Sequence, residues 1–237
     1  MSGADPAARP PPDRGHALVT GSSSGIGAAV AARLIGEGWR VTGIDRMAPV
    51  LADPDFGHVA IDLLDTPRLD GWLAGAADVR ALVHAAGFMR VAPLGALDAA
   101  EGEAMWRLHV DTATRLADRL APRLPEGGRI VLIGSRTAAG AFGRSQYAAT
   151  KAALVGLARS WAMELAPRGI TVNVIAPGAT DTPMLRDPAR GAMPPRLPPI
   201  GRFVRPEEIA ALAAFLLSDN AGAITGQQIL VCGGASL

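Results

Sequence analysis

The chain contains one tyrosine and one lysine, and they stand four residues apart, as Tyr147 and Lys151. On a helix that spacing puts both side chains on one face. A phenol exchanges protons near neutrality only if its pKa of ~10 is pulled down, and a fall of about 3 takes ~4 kcal/mol of differential stabilisation. A neighbouring ammonium supplies stabilisation of that kind. The other 22 basic residues are Arg, so a compact ammonium at this one position points to chemistry in which a broad guanidinium fails. The plain alternative is an interface Tyr beside a solvated Lys. Ser135 closes an apolar run, residues 129–135, and offers a hydroxyl that can hydrogen-bond a reacting oxygen. Strand-end serines are common, so its weight comes from company.

That company is a glycine turn. After the apolar run 16–21 comes Gly21-Ser22-Ser23-Ser24-Gly25-Ile26-Gly27, followed at once by a helix-like Ala-rich stretch. Glycines at such a strand-to-helix turn let backbone approach a pyrophosphate, whose charge meets the helix N-terminus. A Gly/Ser run alone also reads as a linker; the strand before it and helix after it favour the turn. Asp45 ends the next apolar run, where a carboxylate accepts ribose hydroxyls. A 2′-phosphate ~4 Å from Asp45 would be repelled by several kcal/mol at an effective dielectric near 20, which favours NAD over NADP. Arg46 next door supplies a counter-charge and pulls the other way. Asp62 and Leu63 read either as adenine neighbours or as an ordinary approach to a helix cap at Asp65. A hydroxyl, a Tyr/Lys helix and a dinucleotide turn together describe proton transfer coupled to hydride transfer, the chemistry of alcohols and carbonyls.

The elements that must position these residues follow from hydrophobic rhythm. Seven short apolar runs rich in Val and Ile, at 16–21, 39–45, 58–62, 81–87, 129–135, 171–178 and 227–234, alternate with helical patterns. Helices are predicted over 26–37, 65–75, 98–122, 145–166 and 206–217. Near-continuous apolar strands separated by helices predict an α/β fold, a doubly wound, Rossmann-type parallel sheet covered on both faces, with ligands beyond the strand carboxyl ends. Residues 1–14 read as a disordered, Pro-rich tail and 15–237 as one domain. The Pro-rich stretch 179–205 reads as a substrate lid, because it cannot be helical throughout. A formal charge of +1 gives no reason to expect a nucleic-acid partner. One cysteine, Cys232, excludes a disulfide framework and multi-thiolate metal sites, and suggests a reducing, cytoplasmic setting. No apolar run approaches the ~20 residues of a membrane span. His84 and His109 have no partners at ligand spacing, so no metal is expected.

These motifs resemble the short-chain dehydrogenase/reductase family along nearly the whole chain. The resemblance rests on Thr20 to Gly27, His84-Ala85-Ala86-Gly87, Ser135 with Tyr147 and Lys151, Pro177-Gly178 with Thr182, and Thr225-Gly226-Gln227 to Gly233-Gly234. It implies that Tyr147 is the general acid/base, that Ser135 positions the carbonyl or hydroxyl, and that Lys151 holds nicotinamide ribose and acidifies the phenol. Gly21, Ser23, Ser24, Gly25, Ile26, Gly27, Asp45, Arg46, Asp62 and Leu63 would then contact the adenosine and pyrophosphate. His84, Ala85, Ala86 and Gly87 would contact the cofactor through backbone, and Pro177, Gly178, Thr180 and Thr182 would line the nicotinamide. Phe88, Met89, Arg136, Phe142, Met184 and Leu185 would surround the substrate, with Arg186 and Arg190 nearby.

Three departures stand out. The family's Asn-Asn-Ala-Gly run reads His84-Ala85-Ala86-Gly87; the helix Asn of the proton relay reads Asp111; and Ser135 and Tyr147 are 12 apart where 13 is usual. The expected activity is oxidation of a secondary alcohol to a ketone, or the reverse, with NAD. The alternatives are an NADP-dependent ketone or 3-oxoacyl thioester reductase, and an NAD-binding scaffold or regulator without turnover. The resemblance also implies a homotetramer, or a homodimer, packed through the helices at 98–122 and 145–166.

Overall fold

In a computed structural model, which describes residues 14–188 and 195–237, seven parallel strands form one sheet in the order β3-β2-β1-β4-β5-β6-β7. The strands are β1 (His16–Thr20), β2 (Arg40–Asp45), β3 (Phe56–Ala60), β4 (Val79–His84), β5 (Arg129–Ile133), β6 (Thr171–Pro177) and β7 (Gln228–Val231). Every residue of β1, β5 and β6 is buried. This is why those segments read as near-continuous apolar runs: helices cover both faces of the sheet, so alternate side chains have no water to turn toward.

The two faces use opposite sets of side chains. Leu18, Leu82, Ile130 and Leu132 point into one layer with α2 (Thr66–Gly75), α4 (Thr112–Leu120) and α5 (Ser145–Leu165), against Leu69, Leu116 and Leu154. Ala17, Val19, Val131 and Ile175 point the other way, against Val30 and Leu34 of α1 (Gly25–Gly36) and Ile209 and Ala213 of α6 (Pro206–Leu217). Leu18 is fully buried in the first layer, and truncating such a side chain to Ala costs ~2–5 kcal/mol.

The chain winds outward from β1 through β2 to β3, then returns to place β4 on the other flank of β1. Neighbouring loops therefore splay apart beyond Thr20 and His84 and open a crevice at the carboxyl ends of the strands.

The sequence predicts one helix over 98–122; the structure has four pieces, the last a 3-10 turn, Ala121–Arg123. The α3 helix (Ala99–Trp106) passes into a π turn, Arg107–Asp111, before α4 begins. The Thr112 N–H and its hydroxyl both reach back to the Arg107 carbonyl, the wider pairing of a π turn. The Pro-rich lid is pinned at its base, where Thr180 pairs with Val204 and the Asp181 N–H donates to the Val204 carbonyl at 2.8 Å. Inside it, Pro183–Arg186 forms a 3-10 turn. Lid residues 189–194, including Arg190, and residues 1–13 of the expected tail lie outside the described residues. No helix among the described residues is long and apolar enough to cross a membrane.

Candidate active site

The crevice is a cleft of about 1610 Å³ running across the carboxyl ends of the strands. Its wall includes Gly21, Ser24, Gly25, Ile26 and Gly27, then Asp45, Arg46, Asp62 and Leu63. On the other flank stand Ala85, Ala86, Gly87, Ser135, Tyr147, Lys151, Pro177, Gly178, Thr180 and Thr182. The glycine turn is built to a close tolerance. Gly21 has φ +70°, and a Cβ there would lie 2.8 Å from Ala86 backbone. One at Gly27 would lie 2.1 Å from the Gly21 carbonyl oxygen. The α1 N-cap, Ser24, spends no side-chain hydrogen bond on the helix, and the first turn carries no acid. The opening amides and the dipole therefore face the cleft uncompensated, a cradle fitted to a pyrophosphate.

Asp45 ends β2 beside the glycine turn. One carboxylate oxygen accepts the Ser23 N–H at 3.0 Å and the other the Met47 N–H at 2.9 Å. Ser23 donates its hydroxyl to the Met47 carbonyl at 3.0 Å. This corrects the expectation for Ser23, which is buried behind the turn as a brace instead of lining the cleft. Arg46 lies 3.4 Å from Asp62, an exposed pair.

The chemistry-bearing residues converge at the other end. Tyr147 and Lys151 are buried together on α5. Lys151 Nζ lies 5.8 Å from the Tyr147 ring centroid and donates to the Ile133 carbonyl at 2.9 Å. Burial pushes its pKa down from 10.5 to about 7. Ser135 Oγ accepts the Thr137 N–H at 3.1 Å and caps a 3-10 turn, leaving its hydroxyl hydrogen for an incoming oxygen. Phe88, Met89 and Met184 pack with Tyr147 and Met105 into a small apolar cluster beside the phenol.

A family model described as enoyl-(acyl carrier protein) reductase matches residues 21–236. The chain is 36% identical over 234 residues to the 3-oxoacyl-(acyl-carrier-protein) reductase of Escherichia coli, covering 92% of this chain and 96% of that one. It is 35% identical over 238 residues, with the same coverage, to the 2,3-dihydro-2,3-dihydroxybenzoate dehydrogenase of the same species. A short-chain dehydrogenase family protein from Francisella tularensis superposes with a TM-score of 0.87 at 26% identity, covering 94% of this chain and 98% of that one. This chain belongs to the short-chain dehydrogenase/reductase family. It is an oxidoreductase of the hydride-transfer type, and the family works with NAD or NADP.

Within that family frame, the helix opposite Tyr147 holds a surprise. Asp111, expected in the proton relay, is exposed on the outer side of the π turn. The residue that faces the phenol is His109. It is completely buried, with its ring edge-on to Tyr147 at 5.6 Å and 88°. Its Nε2 accepts the Phe88 N–H at 3.2 Å, and its Nδ1 bonds Thr150 Oγ at 2.8 Å. Thr150 in turn donates to the Tyr147 carbonyl. These bonds fix a neutral, Nδ1-protonated imidazole. Burial, then the Lys151 charge, hold its pKa well below 6.5.

The His84 ring is fully buried and lies off the cleft wall. Thr20 Oγ accepts the Ala85 and Ala86 amides, so its one hydrogen goes to His84 Nδ1 at 2.9 Å. His84 Nε2 then donates to the Leu108 carbonyl at 3.2 Å, inside the π turn. Burial, followed by the Lys151 charge, lowers its pKa to about 3. The two imidazoles thus hold opposite tautomers, one supporting the Ala85-Ala86 backbone and the other the phenol's helix.

The substrate end is looser. Met89 and Leu185 are buried, but Phe142 is 84% exposed and stands at the rim instead of closing a pocket. Arg136 lines the cleft, and Arg186 is bound to Asp181. Several cleft residues escaped the sequence reading, Arg144 and Arg90 among them. Arg144 lies one helical turn before Tyr147, and Arg90 sits over the Phe88 ring at 5.0 Å between Glu101 and Asp187.

Proposed function

We propose that this chain interconverts a secondary alcohol and a ketone using NAD, with Tyr147 moving the proton. The observation that carries the reading is the convergence of Ser135, Tyr147 and Lys151 in the same cleft as a glycine turn at a helix N-terminus. When bound, the nicotinamide accepts or supplies the hydride. Ser135 donates its hydroxyl hydrogen to the substrate oxygen and fixes that oxygen near the phenol. Tyr147 takes the proton in oxidation and returns it in reduction. Lys151, positively charged below about pH 7, favours the phenolate and is placed to bond a ribose hydroxyl. His109 orients the phenol through its edge contact and its bond to Thr150; the imidazole is a positioning group, because its nitrogens are already spent.

The Asp45 carboxylate supports NAD over NADP, because a ribose phosphate beside it would meet a negative charge. A second reading, an NADP-dependent 3-oxoacyl thioester reductase, is favoured by the Escherichia coli reductase relative. Against it, Arg46, the cation that would meet the phosphate, is already paired with Asp62. Relatives named for an acyl-carrier-protein thioester, a dihydroxybenzoate and threitol share the alcohol or carbonyl centre but no common substrate. Thermal shifts and turnover with NADH against NADPH test the assignment: tighter binding and faster turnover with NADH support it, and a preference for NADPH overturns it. Non-catalytic binding would show as NADH affinity without absorbance change on any alcohol or ketone. The family resemblance supports a homotetramer or homodimer through α4 and α5, where Met163 is 73% exposed; light scattering reads the state directly.

A further inference from the structure

Apart from Arg196, exposed on the lid, the arginines lining the substrate end fall into two groups. Arg90 is held by Glu101 at 3.3 Å and Asp187 at 3.4 Å, and Arg186 by Asp181. Arg136 and Arg144, which line the same cleft, make no salt bridge and no side-chain hydrogen bond among the described residues.

Arg144 is the sharper case, because its Nε is enclosed by protein and has no partner. Arg80 and Arg129 also have an enclosed, unpartnered Nε. Yet Arg80 binds Asp219 at 3.1 Å, and Arg129 donates to the carbonyls of Gly127 and Gly128. Arg144 has no such ion pair or hydrogen bond among the described residues. Burial and then the Arg136 charge push its pKa below the ordinary value, opposed only by Tyr147, so the two guanidiniums sense each other. Two like charges in a half-buried wall, five donors each and none used, are costly unless an anion arrives between them. Arginine-rich composition explains why an Arg stands at either position, but not why this pair lacks the carboxylates that Arg90 and Arg186 have.

Their place in the chain sets the reach of the anion. Arg136 directly follows Ser135, and Arg144 precedes Tyr147 by three residues on the approach to α5. Both thus stand within three residues of the two hydroxyl-bearing side chains, Ser135 and Tyr147, and line the same cleft. Resting on the oxidoreductase reading above, we infer that Arg136 and Arg144 form an anion subsite, and that the substrate is a small hydroxy or oxo compound with a compact anionic group a few bonds from the reacting carbon. A carboxylate and a phosphate ester share the required chemistry, since both take paired N–H donors from a guanidinium fork.

The test compares initial rates with NADH or NADPH, whichever binds, on four- to eight-carbon 2-, 3- and 4-oxo acids and on their methyl esters. A second arm compares dihydroxyacetone phosphate with dihydroxyacetone. The expected result is at least a ~30-fold preference in kcat/KM for one anionic class over its neutral counterpart, carried mainly by KM. Arg144→Ala and Arg136→Ala each reduce that preference by ~10-fold or more, and Arg144→Lys restores part of it. The ratio of acid to neutral rates is read within each variant, so a loss of folded protein cancels.

Calorimetric titration of the protein with sodium butyrate and with inorganic phosphate runs alongside. Saturable binding of either probe that weakens in both variants supports the subsite even if no compound in the panel is turned over. Acids and esters within ~3-fold of one another, or a preference that both variants leave unaltered, overturn the inference while the oxidoreductase reading stands. With no turnover on any compound, absence of saturable anion binding also overturns it. Failure to bind either dinucleotide is the separate result that would remove the reading beneath.

Discussion

The two ends of the cleft are built on opposite principles. At the glycine-turn end several side chains are spent within the protein: Asp45 on two amides, Ser23 on the Met47 carbonyl, Thr20 on two amides and His84. At the substrate end, charge is left standing, with two unpaired guanidiniums and an aromatic ring 84% in solvent. A surface that meets one invariant ligand can be assembled from backbone and locked. A surface that must select among ligands keeps its bonds in reserve for the partner, at some cost to the empty protein.

The contrast can be broken or sharpened by substitution, and the largest effect is expected at the phenol. Tyr147→Phe lowers kcat by ~10²–10⁴-fold while leaving the calorimetric affinity for dinucleotide nearly unchanged; retention of wild-type turnover would sink the mechanism. Next comes Asp45→Ala, which removes both the negative charge and the acceptor of two amides. It should swing the NADH-to-NADPH preference by ~10-fold or more toward NADPH, read as a ratio of kcat/KM values, and an unmoved ratio would count against Asp45 as the selector.

The buried imidazoles predict an acid limit. Both have folded pKa values below 6.5, so between there and about pH 3 the unfolded chain binds more protons at His84 than the folded one does. Stability therefore rises with pH through that window, and it is lost as pH falls below ~6.5. Thermal melts from pH 8 to 4 should show a decline that His84→Asn makes shallower. An identical slope in that variant would show that other groups set the acid limit. The smallest effect is expected on the outer side of the π turn, where Asp111→Asn should change kcat by less than ~2-fold. His109→Ala, two residues away, should reduce kcat by ~10-fold or more through the loosened phenol.

Much of the architecture was legible because burial on both faces of a parallel sheet leaves a simple mark, short runs dominated by Val, Ile, Leu and Ala. The glycine turn, Asp45 and the Tyr147/Lys151 pair were legible for a related reason, since tight backbone approach and a four-residue helical offset admit few alternatives. His109 was not, although a signal existed: it falls four residues after Met105 and four before Ala113, on the buried stripe that also holds Leu116. Asp111 shares its side with Arg107 and Asp118, a polar stripe. Counting along a family pattern pointed at the acid because nothing in the residue types announces an i to i−5 turn. Ser23 misled because a hydroxyl in a glycine loop reads as a ligand group until the carboxylate behind it, in need of donors, is in view. Arg144 was hidden by abundance, since one more Arg in an Arg-rich chain carries no information until its missing partners are counted.

The five residues from Arg107 to Asp111 set the angular phase of everything that follows on that helix. Each helical residue advances the azimuth by about 100°, so shortening the segment by one would turn Met105 and Leu116 out of step. It would also swing a different side chain, the neighbouring Val110, toward the phenol. A deletion in this stretch would thus act as a substitution at the reaction centre, although the segment itself, on its outer side, faces only water.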